Sequence, residues 1–301
     1  MNTPLVSAVI TTYKRKPEMV VRAAKSILNQ TYKNIELFVV DDSPSDYEFR
    51  DDVRDALAGI GDERLQYIMH EKNMGACAAR NTGITASKGE FLSFLDDDDE
   101  WVEEKIEKLM EKMIHPEIGL VYCGHFVINE MNSTITEKKC RQLSGDVYDE
   151  LFFSNFIGST SFPLIRRECF EKVGMFDVEI LSLQDYEMWM RISKEYKVDY
   201  VDLPLIKYYI HLGEQITTNP KKAVQGNERF NMIHKDYLKG HRKADAVRHR
   251  SLVVPYVKDK QYVKSFSYLM KAIIKNPLEF TDNLEATTYF LWIMIKGAIS
   301  R

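Results

Sequence analysis

The stretch Phe91–Trp101, FLSFLDDDDEW, joins a short apolar run to four consecutive aspartates and a tryptophan. The apolar part predicts a buried β-strand, so the aspartates stand at the C-terminal end of that strand. Four adjacent carboxylates repel one another, and the repulsion is costly beside a core of low dielectric constant. The stretch therefore predicts either a bound cation or carboxylates that point into water.

The elements around this stretch indicate the fold class. Apolar runs that predict strands alternate with helical periodicity: strands at Leu5–Tyr13, Ile35–Asp42, Leu65–Met69 and Glu90–Leu95, and helices after Pro17, over Arg50–Ala58 and between Gly75 and Gly89. This order predicts a parallel sheet with helices on both faces, an α/β fold. Farther along we expect a helix over Trp101–Met113, strands at Ile118–Phe126, Ser161–Arg166 and Val198–Asp202, and mainly helices past about residue 215.

Composition narrows the classes of protein that the chain can be. The net charge of −4 over 301 residues gives no sign of a nucleic-acid partner, although residues 239–301 carry 12 Lys and Arg against 5 Asp and Glu. The four cysteines form no CxxC pair, which favours a reduced, cytoplasmic setting. The N-terminus lacks a signal-peptide pattern, and the apolar run Ala286–Ile295 is too short to span a bilayer.

The usual glycine-rich phosphate loops are missing. The turn after the first strand reads TTYKRKP, and neither GxGxxG nor GxxxxGK[ST] occurs in the chain. A metal held by carboxylates is the other common way to bind a diphosphate, and Asp96 and Asp98 would project from the same side of the strand. The alternative is an acidic helix N-terminus, which suits Glu100, Glu103 and Glu104 better than the acids that abut the strand.

Six segments together resemble the family 2 glycosyltransferases of the GT-A fold. They are VSAVITTYKR (Val6–Arg15), ELFVVDDSP (Glu36–Pro44), NMGACAARNTGI (Asn73–Ile84), FLDDDDEW (Phe94–Trp101), VGMFDVEI (Val173–Ile180) and QDYEMWMRIS (Gln184–Ser193). The resemblance covers about residues 4–215. It implies a catalytic domain over 1–215, with a Rossmann-like nucleotide half at about 1–100 and an acceptor half at about 101–215. The helical C-terminal region, 216–301, lies outside it.

The resemblance also implies an activity: transfer of a sugar from a nucleotide donor, usually UDP-linked, to a hydroxyl acceptor, with a divalent metal (Mn²⁺ or Mg²⁺) and inversion at the anomeric carbon. The matching positions imply roles for nucleotide-sugar contacts and for the metal. They are Thr11, Tyr13 and Asp42 for the uridine, Arg15 and Arg80 for the nucleotide or its phosphates, Asp96 and Asp97 for the ribose or metal-bound water, Asp98 for the metal, and His211 for the metal or diphosphate.

Asp185 matches the position of the catalytic base. Inverting transfer needs a carboxylate to take the proton of the acceptor hydroxyl as its oxygen attacks. The family often has Glu-Asp here, whereas this chain has Gln184-Asp185. From the residues alone, Asp185 could equally cap the helix that follows it.

Two other classes of function and the nature of the acceptor stay open at this point. A nucleotidyltransferase would also use a Rossmann-like sheet and paired acids, and a non-catalytic nucleotide-sugar-binding module would bind the donor without transfer. The acceptor is expected to be a saccharide or a lipid-linked saccharide in bacterial-type polysaccharide or glycoconjugate assembly. The segment Leu284–Ser300 is a candidate for contact with the inner face of the membrane, or else packs against the catalytic domain or a second subunit.

Overall fold

The computed structural model describes residues 3–210, 219–279, 284–288 and 290–292. His211 and much of the segment Leu284–Ser300 lie outside these residues. The chain divides into two compact units. The sheet unit consists of Met1–Tyr148, Asn155–Val178 and Met188–Leu212, and the helical unit of Asp149–Ser154, Glu179–Glu187 and Gly213–Arg301.

The strands alternate with helices through the first hundred residues, as the periodicity predicts. The strands are β1 (Val6–Thr12), β2 (Ile35–Asp41), β3 (Leu65–Met69), β4 (Phe91–Asp96), β5 (Glu100–Trp101), β6 (Ile118–Asn129), β7 (Thr134–Lys138), β8 (Leu164–Arg166) and β9 (Lys197–Ile210). The helices are α1 (Pro17–Leu28), α2 (Arg50–Ala58), α3 (Ala76–Ala86), α4 (Lys105–Met110), α5 (Tyr148–Leu151), α6 (Arg167–Val173), α7 (Gln184–Glu195), α8 (Pro220–Ile233), α9 (Lys235–Gly240), α10 (Arg242–Arg250), α11 (Val253–Lys258) and α12 (Tyr262–Lys275).

These strands form one mixed sheet in the order β3-β2-β1-β4-β8-β6-β9-β5, and β7 pairs with β6. The pairs β1–β2, β1–β4, β2–β3 and β6–β9 are parallel. Strand β8 lies antiparallel between β4 and β6. Because β1 and β4 are parallel neighbours, their carboxyl ends meet at one edge, where open α/β sheets bind ligands.

Helices cover both faces of this sheet. Helix α1 buries Val20, Ala23 and Ile27 in a core that includes Ile10 of β1. On the other face, α3 lies so close to β1 that a Cβ added to Gly83 would stand 2.4 Å from Cγ1 of Val9. A glycine at this position lets the helix backbone approach the strand.

The α/β fold with a helical C-terminal region is confirmed, with one local correction. The helix predicted over Trp101–Met113 is observed only over Lys105–Met110. It begins later than predicted because Glu100 and Trp101 pair with β9 as a short antiparallel strand. Trp101 is buried all the same.

Within the helical unit, the described residues after 219 contain helices and no strand. Helices α11 and α12 share a small core with Ala286 and Phe290. Among the residues described here, no helix has the length and apolar character that crossing a membrane requires.

Candidate active site

The four aspartates form a tight turn directly after β4. Asp96 ends the strand opposite Thr11 of β1, and the amide of Asp99 donates to the carbonyl of Asp96 at 3.1 Å. The side chains alternate in exposure: those of Asp96 and Asp98 are 33% and 21% exposed, whereas Asp97 and Asp99 are buried. Two of the four carboxylates are therefore partly accessible from solvent, and two are not.

Asp99 is held by groups from distant parts of the sheet unit. Its carboxylate accepts from the hydroxyl of Ser161 at 3.1 Å and from the backbone amide of Tyr209 at 3.2 Å. Burial raises its pKa well above the usual range. This carboxyl ties the turn to the loop before β8 and to β9.

Arg15 bridges the next two acids. Its Nε donates to Oδ1 of Asp97 at 2.9 Å and its Nη2 to Oδ2 of Asp98 at 2.7 Å. Burial raises the pKa of Asp97 to about 7, and the positive charge of Arg15 opposes that rise. The cation that the sequence predicts beside the aspartates is thus partly supplied by the chain itself.

Two more arginines approach the same turn. Arg80, on α3, reaches Oδ1 of Asp96 at 3.3 Å, where the hydroxyl of Thr160 also donates at 3.2 Å. Arg22, on α1, donates to the carbonyl of Asp98 at 2.6 Å, and its guanidinium stacks 4.0 Å from the ring centre of Tyr209. Guanidinium groups bind phosphates in the same forked geometry that they use for carboxylates, so these arginines have the chemistry to bind a phosphate group as well.

The acidic turn fits a divalent cation only together with a bound phosphate group. Of the residues described, no three His, Cys, Asp or Glu side chains cluster closely enough to hold a metal ion by themselves. Mg²⁺, however, is commonly bound by one or two carboxylates plus substrate phosphates, and Asp96 and Asp98 offer two partly exposed carboxylates. His211, the other predicted metal contact, is outside the described residues.

The residues predicted to hold a uridine fall into two kinds. Thr11 and Tyr13 lie at the carboxyl end of β1, Thr11 in register with Asp96, and Tyr13 is largely exposed. Asp42, by contrast, is buried at the end of β2. Its carboxylate accepts from the amides of Met74 and Gly75 at 2.8 and 2.7 Å and pairs with His70 at 2.7 Å.

Asp185 lies in the helical unit, in the first turn of α7. The helix begins at Gln184, so Asp185 is inside the helix and not its capping residue. Its Oδ1 accepts from the amide of Tyr186 at 2.7 Å, which satisfies one of the free amides at a helix start. Asp185 thus accepts a hydrogen bond at the helix start without being the capping residue, and its role as a base stays a prediction.

Sequence reasoning missed Arg22, Thr160, Ser161 and Tyr209 around the acidic turn. Each reaches the turn from more than 60 residues away in the chain. None lies in a run whose spacing marks a site, so no local signal could have found them.

The carboxyl edge of this α/β sheet carries partly exposed aspartates with arginines beside them, and it is the edge at which open α/β sheets bind ligands. The family model described as glycosyl transferase family 2 matches residues 7–174. The putative colanic acid biosynthesis glycosyl transferase WcaA of Escherichia coli (strain K12) is 32% identical over 241 residues, 78% of this chain and 83% of that protein. The chain belongs to glycosyl transferase family 2, and it is a glycosyltransferase.

Two further comparisons agree with this assignment. The UDP-Glc:alpha-D-GlcNAc-diphosphoundecaprenol beta-1,3-glucosyltransferase WfgD of Escherichia coli is 29% identical over 226 residues, 75% of this chain and 84% of that protein. The mannosyltransferase PcManGT from Pyrobaculum calidifontis, solved with GDP-Man and Mn²⁺, superposes with a TM-score of 0.61 at 16% identity, covering 97% of this chain and 86% of that one. The predicted GT-A fold is confirmed.

Proposed function

We propose that the protein transfers a sugar from a nucleotide diphosphate sugar, a UDP-sugar in the first instance, to a hydroxyl group of a saccharide acceptor, with inversion at the anomeric carbon. One observation carries the proposal: Asp96 and Asp98 stay partly exposed at the ligand-binding edge of the sheet while Arg15 and Arg80 stand against them. These ion pairs are partly exposed, and each guanidinium could exchange its carboxylate for a phosphate of the donor.

Arg15 and Arg80 are proposed to bind the diphosphate of the donor. Arg80 is almost wholly buried, so its guanidinium is held in place before a ligand arrives. Arg15 is more exposed and is able to turn from Asp98 toward a diphosphate oxygen. The exchange costs little free energy, because the carboxylate and the diphosphate are both anions that accept hydrogen bonds from the forked N–H groups. Thr11 lies in register with Asp96, and Tyr13, which follows β1, is exposed. Both are proposed to contact the nucleobase of the donor.

Asp98 is the proposed metal ligand, and Asp96 and Asp97 are proposed to orient the ribose or metal-bound water. A Mn²⁺ or Mg²⁺ ion there would neutralise charge that develops on the leaving diphosphate. This assignment follows the position of Asp98 in the Asp-x-Asp motif of the family, and the partial exposure of its carboxylate supports it. The described acids need a phosphate to complete a coordination shell.

Asp185 is the proposed base. As the acceptor oxygen bonds to the anomeric carbon, the bond from that carbon to the diphosphate oxygen breaks, and the hydroxyl proton passes to the carboxylate of Asp185. The nucleoside diphosphate leaves with the electron pair of the broken bond. Gln184 replaces the glutamate common in the family, so this chain has one negative charge fewer beside the base.

The names of the relatives support a setting in polysaccharide assembly. WcaA is named as a putative glycosyl transferase of colanic acid biosynthesis, and the name of WfgD gives its acceptor as a sugar linked to diphosphoundecaprenol. We infer that this chain likewise extends a saccharide, with a lipid-linked saccharide as the first acceptor to try, on the cytoplasmic side of a membrane. The four cysteines, all described and none in a disulfide, agree with a reducing compartment.

Donor binding is the first test. Thermal shifts with UDP-, GDP- and dTDP-sugars and with UTP, each in Mn²⁺ or in EDTA, compare the classes of ligand directly. We expect a nucleotide sugar to raise Tm in Mn²⁺ and to raise it less in EDTA. Stabilisation by UTP alone would indicate a nucleotidyltransferase instead.

Transfer is the second test, with Asp185→Asn against wild type and Asp236→Asn as an exposed control in the same unit. Asp185→Asn should bind the donor normally and lose turnover and slow donor hydrolysis, whereas Asp236→Asn should keep both. Full turnover in Asp185→Asn would refute the assignment of the base. Donor binding with neither reaction in wild type would indicate a non-catalytic module.

A further inference from the structure

Helix α12 has two apolar faces, and only one of them is packed. Ser265, Leu269 and Ala272 are buried within the helical unit. On the other side Val263, Phe266, Met270 and Ile274 are 86, 51, 38 and 66% exposed. An ordinary surface helix presents charged and polar residues opposite its buried face, so this second apolar face is a candidate interaction surface.

The four exposed side chains form one stripe along the helix axis. Their spacing of three, four and four residues is the spacing of neighbours on a helix surface. From Val263 to Ile274 the stripe runs about 16 Å. We refer to these four residues as the α12 stripe.

Lysines line one side of the α12 stripe. Lys264, Lys271 and Lys275 follow one another at helical spacing, one position after stripe residues Val263, Met270 and Ile274. Lys275 pairs with Asp245. Within the described part of the chain, Lys264 and Lys271 form no ion pair with an acid, and their ammonium groups lie 5.5 and 4.8 Å from the ring centres of Tyr256 and Tyr268.

Apolar exposure continues beyond α12. Leu278 is almost fully exposed, three residues after the helix ends. The ring of Phe266 also lies 5.9 Å from that of Phe290, and Leu291, next to Phe290, is half exposed. The α12 stripe is thus part of a larger apolar surface within the helical unit.

We propose that the α12 stripe docks on an anionic lipid surface, with its phenylalanine and aliphatic side chains in the headgroup boundary and its lysines toward the lipid phosphates. Aliphatic and aromatic residues beside a row of lysines are the pattern of a helix that lies in a membrane interface. The excess of Lys and Arg in residues 239–301 has the sign that such a surface attracts.

Charge argues against a second copy of this chain as the occupant. In an antiparallel twofold pairing of the α12 stripe, the two rows of lysines would lie on the same side of the interface. Like charges facing each other across an interface cost free energy, whereas lipid phosphates would compensate them. Binding to an anionic lipid surface is expected to weaken as ionic strength rises, because salt screens the attraction between lysines and lipid phosphates.

The test uses full-length protein and vesicle flotation. Vesicles of phosphatidylcholine are compared with vesicles that contain phosphatidylglycerol, at low and at high salt. We expect binding to the anionic vesicles only, and weaker binding at high salt. The double variant Phe266→Asp/Ile274→Asp should bind them more than about tenfold more weakly.

Two further variants sharpen the result. Lys264→Gln/Lys271→Gln should weaken binding to anionic vesicles without changing the oligomeric state. Ile135→Asp, an exposed isoleucine of β7 in the sheet unit, is the matched control and should bind like wild type. All these positions are exposed, so each variant should stay folded with a Tm close to that of wild type. The largest decrease is expected for Phe266→Asp, which loses its ring contact with Phe290.

Two results would overturn the proposal. One is equal flotation of wild type and Phe266→Asp/Ile274→Asp. The other is a wild-type dimer, measured by light scattering without vesicles, that the same variant dissociates. Donor-induced thermal shifts of all variants are measured in parallel; because lipid binding does not depend on the donor, loss of either property leaves the other testable.

Discussion

Two strands of the sheet unit end in runs of aspartate, and the two runs behave differently. Strand β2 leads into Asp41 and Asp42, and β4 leads into Asp96 and the three acids after it. Both ends lie at the carboxyl edge of parallel strands. On position alone both would be assigned to the ligand, as the sequence suggests.

The carboxylates of the two aspartates after β2 accept hydrogen bonds from other groups of the chain. Asp41 accepts from the amide of Ser43 and from the hydroxyl of Tyr67. Asp42 accepts from two backbone amides and pairs with His70, whose other ring nitrogen lies 2.9 Å from the hydroxyl of Thr82. These carboxylates hold the loop before α3 in place.

Of the four aspartates after the apolar part of β4, two are buried and two are partly exposed to solvent. Asp99 and Asp97 are buried and partnered, whereas Asp96 and Asp98 keep partly exposed oxygens beside arginine side chains. An arginine partner can exchange a carboxylate for a phosphate, but a backbone amide beneath a loop cannot move to a ligand. We infer from this contrast that the kind of partner, more than the position on the sheet, indicates which acid is able to turn to a ligand.

The largest effect should come from a buried acid after β2. Asp42→Ala leaves the amides of Met74 and Gly75 and the ring of His70 without their acceptor, so the free energy of unfolding should fall by about 3–5 kcal/mol. Denaturant midpoints measure it, with Asp98→Ala as the control that should change little. A variant as stable as wild type would show that Asp42 is not structural.

The partly exposed acid should give the opposite result. Asp98→Asn should change the free energy of unfolding by less than about 1 kcal/mol, because its contact with Arg15 is partly solvated. Its Mn²⁺-dependent affinity for the donor should fall about hundredfold, or about 2.7 kcal/mol. Calorimetric titration of donor in Mn²⁺ measures this affinity. An unchanged affinity would contradict the role of Asp98 in donor binding, and with it the contrast between the two aspartate runs.

Lys105 extends the comparison to a buried cation. Its ammonium group donates to the hydroxyl of Ser93 at 2.7 Å and lies 3.9 Å from the ring centre of Trp101. Burial lowers its pKa to about 7. Between about pH 7 and the usual pKa of 10.5, the unfolded chain binds more protons here, so this group makes stability rise with pH.

Lys105→Met should therefore stabilise the protein by about 2–3 kcal/mol at pH 6, after loss of the contacts to Ser93 and Trp101. The gain should shrink steadily as pH rises from 7 to 10. Urea unfolding at pH 6, 8 and 10 measures it, with the exposed Lys108→Met as control. A gain that does not vary with pH would contradict the charge as its cause.

The smallest effect is expected for Arg15. Arg15→Gln removes the cation that occupies Oδ2 of Asp98, so Mn²⁺ without nucleotide should bind about fivefold more tightly, or about 1 kcal/mol. Donor affinity should fall in the same variant, because the diphosphate loses a guanidinium. Free Mn²⁺ measured by electron paramagnetic resonance separates the two, and weaker metal binding would contradict the exchange of partners.

Local pattern was enough for much of the fold. The helix predicted over Arg50–Ala58 has those bounds, and β1, β2 and β3 follow their apolar runs. Strand β7 was not predicted, because every residue from Thr134 to Lys138 is exposed and the segment has no apolar face to detect. The start of α4 was wrong because pairing with β9, about 100 residues later, decides Glu100 and Trp101.

By itself the sequence determined the types of most elements, the carboxyl-edge position of both aspartate runs and the family, because hydrophobic period and ordered motifs are local properties. Only the tertiary structure decided which aspartates keep open oxygens. Those of Asp42 are filled from His70, Met74 and Gly75, about 30 residues away, and those of Asp98 are shared with Arg15, 83 residues away. Burial and hydrogen bonding depend on distant partners, and a linear pattern carries no record of them.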